Sequence, residues 1–123
     1  MTRVELAALL DHSVLKPEAT EEDVRSGADV VREWAIGFYC VQPCWVTLAA
    51  RMLAGTKAKV VSVVGFPHGC ERPEAKVRAA ELAVGDGAAE IDMVQNIGAL
   101  KSRRIGGFVW TKRLQDCLAR SPR

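Results

Sequence analysis

Four apolar runs separated by helix-patterned stretches constrain this chain more than any other feature. They cover residues 11–15, 38–42, 59–64 and 90–94 of a 123-residue sequence. Their starts lie roughly 20–30 residues apart, the strand–helix–strand rhythm of a right-handed parallel sheet. The third run, Lys59-Val60-Val61-Ser62-Val63-Val64, is nearly continuous in apolar character. That pattern marks a parallel strand covered on both faces.

The intervening stretches read as helices. Thr2 and Glu5 have capping-box spacing for a short opening helix reaching Leu10. Thr20 is a good N-cap with acids behind it, and Val24, Ala28, Val31 and Ala35 fall on one helical face. Pro43 suits the first position of the next helix, whose expected buried face is Val46, Ala49, Ala50 and Leu53, with Gly55 as its C-cap. Pro73 and Glu74 open a third long helix with Val77, Ala80 and Val84 inward, ended by Gly85 and Gly87. There is no GxGxxG after the first strand and no Walker lysine, so nucleotide-binding doubly wound folds lose support. The remaining parallel architecture is a (β/α)8 barrel, which needs about 200–250 residues. The expected fold class is therefore α/β, the first half of a TIM barrel with about four βα units.

Charge divides the chain. Residues 1–100 hold ten Lys/Arg against fourteen Asp/Glu, whereas residues 101–123 hold seven against Asp116 alone. A mildly acidic body with a basic tail is not the footprint of a nucleic-acid-binding domain. Cys40, Cys44, Cys70 and Cys117 have no disulfide-framework spacing, and the only apolar run near the N-terminus is Ala7–Leu10. Such a chain is expected in the cytoplasm with reduced thiols and no membrane span. In the tail, Gly106 and Gly107 precede a stripe of Trp110, Leu114, Cys117 and Leu118. This reads either as a short surface helix or as a weakly structured basic end.

In a barrel, chemistry gathers at the C-terminal ends of the strands. Four places land there: Asp11–Ser13, Cys40 with Gln42, the Phe66–Gly69 loop, and Asp92 with Gln95 and Asn96. Asp92 alternates with Ile91 and Met93, so it faces the barrel interior if they face the helices. A carboxylate there either performs acid/base chemistry or pairs with a neighbouring strand, and spacing alone prefers neither. Asp11 reads equally as a second inward carboxylate and as a solvated residue at the strand start. His12 should face the other way, as a packing residue. Ser13 has no triad spacing. Cys40, Cys44, His68 and Cys70 match no known zinc knuckle, so no metal and no cofactor are expected.

These residues resemble deoxyribose-phosphate aldolase, a class I aldolase on a (β/α)8 barrel. Leu10-Asp11-His12-Ser13-Val14-Leu15-Lys16-Pro17 is similar to the family's opening strand and loop. Cys40-Val41-Gln42-Pro43 and Val64-Gly65-Phe66-Pro67 resemble its second and third strand ends. Gly87 through Val94, followed by Asn96-Ile97-Gly98-Ala99-Leu100, resembles its fourth strand and exit. The resemblance covers about residues 5–102.

The resemblance implies a lyase of deoxyribonucleotide catabolism. Its reaction is the reversible cleavage of 2-deoxy-D-ribose 5-phosphate to D-glyceraldehyde 3-phosphate and acetaldehyde through a lysine Schiff base. It places Asp92 and Asp11 in the proton relay as catalytic residues, and Ser13 and Cys40 on the substrate-binding wall. It implies small phosphosugar and aldehyde partners, no nucleic acid and no membrane. The family's Schiff-base lysine lies on later strands, and Lys16, Lys57, Lys59, Lys76, Lys101 and Lys112 match neither of its lysine positions. The chain is accordingly expected to divide into a partial barrel over 1–102 and an aberrant basic tail over 103–123. A half-barrel is expected to leave an uncovered inner face and two open sheet edges through which copies associate. The competing reading is an inactive half-barrel, at most an interaction fragment.

Overall fold

The computed structural model describes residues 1–103. The elements run α1 (Arg3–Ala7), β1 (Asp11–Val14), α2 (Glu21–Trp34), β2 (Phe38–Val41), a 3-10 turn (Pro43–Trp45), α3 (Val46–Met52), β3 (Lys59–Val64), α4 (Pro73–Gly85), β4 (Glu90–Met93) and α5 (Ile97–Lys101). The basic tail and its Trp110 stripe lie outside the described residues.

The four strands form one all-parallel sheet in the order β1-β2-β3-β4. Sequential order means that every crossover joins neighbours in the same rotational sense. A doubly wound sheet would reverse its order at a switch point, whereas a barrel never does.

Local chemistry explains the starts of the helices. Thr2 and Glu5 form a reciprocal capping box, and so do Thr20 and Asp23. The second box opens α2, which carries three acids in its first turn, where the helix dipole favours them. The 3-10 turn begins at Pro43, and α3 proper begins only at Val46.

The main core lies between the sheet and its helices. Val24, Ala28 and Val31 of α2 meet Tyr39 and Val41 of β2, Val60 of β3, and Val46, Leu48, Ala49 and Leu53 around α3. Burying each of the valines contributes about 1.5–3 kcal/mol as an upper estimate. The Tyr39 hydroxyl donates to the Val24 carbonyl at 2.7 Å, so the ring's one polar atom is satisfied. Gly27 permits this approach, because a Cβ there would lie 2.4 Å from Tyr39 Oη.

Three expectations about packing are corrected. Ala35 is not on the buried face of α2: it is exposed and caps the helix in the left-handed conformation at φ 51°. The inward face of α4 is Lys76, Ala80 and Ala83, with Val77 and Val84 only half-buried. Apolar periodicity misses this stripe by one residue at two of its three positions, because it does not count a lysine as inward-facing. The third concerns the inner face of the sheet, which is covered at its centre. Cys40, Val61 and Val63 are buried there, with Leu15 and Phe38 packed against them.

Candidate active site

Strand alternation sorts the side chains of β4. Ile91 and Met93 pack with Val64 and Ala80 on the helix side, so the intervening Asp92 points to the opposite, concave face. The same parity puts Asp11 and Ser13 of β1, Cys40 of β2, and Val61 and Val63 of β3 on that face. Register aligns them: Ser13 lies beside Cys40, Cys40 beside Val61, and Val63 beside Asp92.

The concave face opens into a cleft of about 270 Å³ lined by Ser13, Leu15, Cys40, Val63, Phe66, Asp92, Met93 and Val94. At its floor, one ligand atom each from Asp11, Cys40 and Asp92 lies within 4.8 Å of the others. Three of the four sequence-predicted residues, Ser13, Cys40 and Asp92, line the cleft, and Asp11 joins them through this cluster. His12 is on the other face, stacked on Tyr39 with ring centroids 5.9 Å apart. Gln42 donates its side-chain amide to the Leu15 carbonyl at 2.9 Å and so clamps the exit of β1. Asn96 caps α5 by accepting from the Ala99 amide.

The electrostatics follow from the crowding of acids. Partial burial pushes the Asp11 carboxyl above the ordinary carboxylate range, and the neighbouring Asp92 charge adds to the effect. Burial, with Asp11 and Asp92 contributing, raises the Cys40 thiol to about 12. A thiol so placed stays protonated at neutral pH and is neither a nucleophile nor a ready metal ligand. The Cys40, Cys44, His68 and Cys70 set considered for zinc is not assembled. Among the described residues, the grouping close enough to take up a cation is Asp11, Cys40 and Asp92.

No lysine lines the cleft among the described residues. Lys16 lies in a neighbouring groove between β1 and α2. Lys59 pairs with Glu90 at 3.2 Å, near the starts of their strands. Lys76 is buried, and its ammonium donates to the carbonyls of Gly69 and Val94. Sequence reasoning missed Lys76. The available signal was its place four residues before Ala80 and seven before Ala83, in the stripe of a helix packed on the sheet.

No family model matches the chain. A curated deoxyribose-phosphate aldolase from Enterococcus faecalis is 46% identical over 101 residues, covering 82% of this chain and 46% of that protein. This chain is homologous to the deoxyribose-phosphate aldolases. A solved aldolase, QR15, superposes with a TM-score of 0.84 at 32% identity, covering 92% of this chain and 51% of the other. Deoxyribose phosphate aldolase from Aeropyrum pernix, described as a tetramer, superposes at 0.78 with 27% identity, covering 95% and 50%. The chain spans about half the length of the relatives it matches. Its four βα units fit half of a (β/α)8 barrel, in keeping with the share of each aldolase neighbour that they cover.

Proposed function

We propose that the concave cleft is the acid/base half of a class I aldolase site that handles 2-deoxy-D-ribose 5-phosphate. The observation that carries this reading is the convergence of Asp11, Cys40 and Asp92 to within 4.8 Å on one face of the sheet. The homology to aldolases supports it.

In a Schiff-base cleavage, a lysine amine condenses with the C1 aldehyde and water leaves. A base then takes the proton of the C3 hydroxyl as the C2–C3 bond breaks, and the electron pair moves into the iminium. Glyceraldehyde 3-phosphate departs. The enamine is reprotonated at C2, and hydrolysis releases acetaldehyde. Two adjacent carboxylates, one of which (Asp11) holds its proton above the ordinary carboxylate range, suit these transfers. Asp11, which keeps its proton to higher pH than an ordinary carboxylate, acts as donor and partner. Asp92, which lines the cleft, moves the substrate proton. The neutral Cys40 thiol and the Ser13 hydroxyl form the wall against which the small aldehyde portion sits.

The amine has to come from outside residues 1–103. The second reading, in which the 123-residue chain alone does not turn over, is favoured by the absence of a lysine from the cleft among the described residues. We place the end of the aldolase-like body at residue 102 and treat 103–123 as unrelated sequence, which the charge break supports. Reading the gene downstream in all three frames tests the reading of this tail as an aberrant end: finding no barrel continuation in any frame overturns it. A cytoplasmic location, phosphosugar substrates without nucleic acid, and association of copies through the β1 and β4 edges belong to the same reading. Among the described residues, no helix is long and apolar enough to cross a membrane.

The test is hydride trapping. The chain is incubated with 2-deoxyribose 5-phosphate and borohydride, digested and analysed by mass spectrometry. No residue-specific adduct is expected on Lys16, Lys57, Lys59, Lys76 or Lys101. A specific adduct on one of them, accompanied by turnover, overturns the assignment of the amine to another segment.

A further inference from the structure

Lys76 is the one lysine among the described residues that is buried, with 5% of its surface exposed. It stands in the first turns of α4, and its Nζ donates to Gly69 O at 2.7 Å and Val94 O at 2.8 Å. Among the described residues it forms no ion pair. An ammonium taken out of water and returned only to carbonyl dipoles is costly and adds little to stability by itself.

What the two carbonyls belong to gives the arrangement its meaning. Gly69 closes the loop after β3, donating its amide to Gly65 O at 2.7 Å. Val94 is the first residue past β4 and donates its amide to Val64 O at 2.9 Å. The loop and the β4 exit touch directly: a Cβ on Gly69 would fall 2.2 Å from Gln95 O, and its φ of +68° already excludes most side chains. Lys76 therefore fastens two segments that meet nowhere in sequence. Both of them line the cleft, the loop through Phe66 and the exit through Val94, next to Met93 and Asp92.

We infer that Lys76 is a positioning residue that fixes the Phe66 loop and the β4 exit as a single wall of the cleft. It does not touch a reacting atom and takes no part in imine formation. Its contribution is to hold the Phe66 side of the cleft at a set distance from Asp92 and Cys40. The functional meaning of this wall rests on the aldolase reading. The measurements below need no substrate, so a failure of that reading leaves them intact.

The test compares Lys76→Met with Ala83→Gly, which weakens the same helix far from the loop. Amide hydrogen exchange is followed residue by residue. The alkylation rate of buried Cys40 by iodoacetamide is measured against that of exposed Cys44 in the same molecule. Lys76→Met is expected to raise exchange at Gly69 and Val94, and the Cys40:Cys44 rate ratio, by about tenfold or more, with α2 and β2 unchanged. Ala83→Gly is expected to lower overall stability and to raise exchange evenly, without the local excess at Gly69 and Val94 over α2 and β2. If Lys76→Met leaves both readouts unchanged, or raises exchange uniformly as Ala83→Gly does, the proposal is overturned. Should Lys76→Met fail to fold, Gly69→Ala strains the same junction from the other side. Unchanged exchange at Val94 and an unchanged thiol ratio in that variant overturn the proposal equally.

Discussion

The two faces of this sheet are built from the same four strands and obey opposite rules. On the convex face, Tyr39, Val41, Val60 and Val64 are buried under helices, and the two buried hydroxyls there, Tyr39 and Ser62, both donate to backbone carbonyls. On the concave face, two carboxylates, a thiol and a hydroxyl converge with Val63 beside them. Strand parity separates the two, since neighbours along a strand such as Ile91 and Asp92 point apart. Stability is concentrated on one face, and the other is left free to hold groups that repel each other.

The strongest way to break this comparison is to give the convex face a charge. Val64→Asp places an unpaired carboxylate among Ala80, Ile91 and Met93 and should cost at least 3–5 kcal/mol by about the measure of other uncompensated buried charges, enough to unfold the chain. Urea titration followed by circular dichroism reads it. The mirror exchange on the concave face, Asp92→Val, should stay within about 1 kcal/mol of the natural chain, because it removes a repulsive neighbour from Asp11. Equal losses from the two variants would erase the distinction between the faces.

Smaller changes sharpen it. Tyr39→Phe removes the hydroxyl's bond to the Val24 carbonyl, which keeps its helical donor, and should cost about 0.5–1.5 kcal/mol in the same titration. Thr20→Ala removes the capping box of α2 at the edge of the convex layer and should cost about 1 kcal/mol.

The least effect, and of opposite sign, is expected for Asp11→Asn. A carboxyl whose folded-state pKa is raised carries no penalty below its unfolded pKa. It then destabilises increasingly as pH rises through the folded value. Asp11→Asn should therefore stabilise the chain at pH 7, by under about 1 kcal/mol because the site is solvent-screened, and the gain should vanish near pH 3. Thermal melts of both proteins across that range check the sign. A gain that persists at low pH would show that charge is not its cause.

Much of the fold was legible because its determinants are local. The caps at Thr2 and Thr20, the proline at 43 and the apolar run 59–64 mark element type and order, and that order together with the missing nucleotide-binding motifs pointed to a barrel. The inward direction of Asp92 followed from the parity of Ile91 and Met93. What could not be read was anything that depends on two distant segments meeting. Ala35 looked like a continuation of the α2 stripe, but the chain turns there so that Ile36 can donate its amide back to Val31. Nothing along the sequence marks Lys76 as buried, because its carbonyl partners lie 7 and 18 residues away and only the fold brings them to it. The proximity of Asp11 and Asp92 depends on the curvature of the sheet, which no pattern along one strand encodes.

The central claim is that the concave cleft is the proton-handling half of an aldolase site whose amine comes from another segment. Joining residues 1–102 to the complementary second half of the Enterococcus faecalis relative, and assaying cleavage of 2-deoxyribose 5-phosphate, tests it most directly. The fusion should turn over, and Asp92→Asn within it should lower kcat by about 10²–10⁴, the usual contribution of a positioned acid or base. A fusion that folds yet does not turn over, or one in which Asp92→Asn keeps its full kcat, would contradict the account.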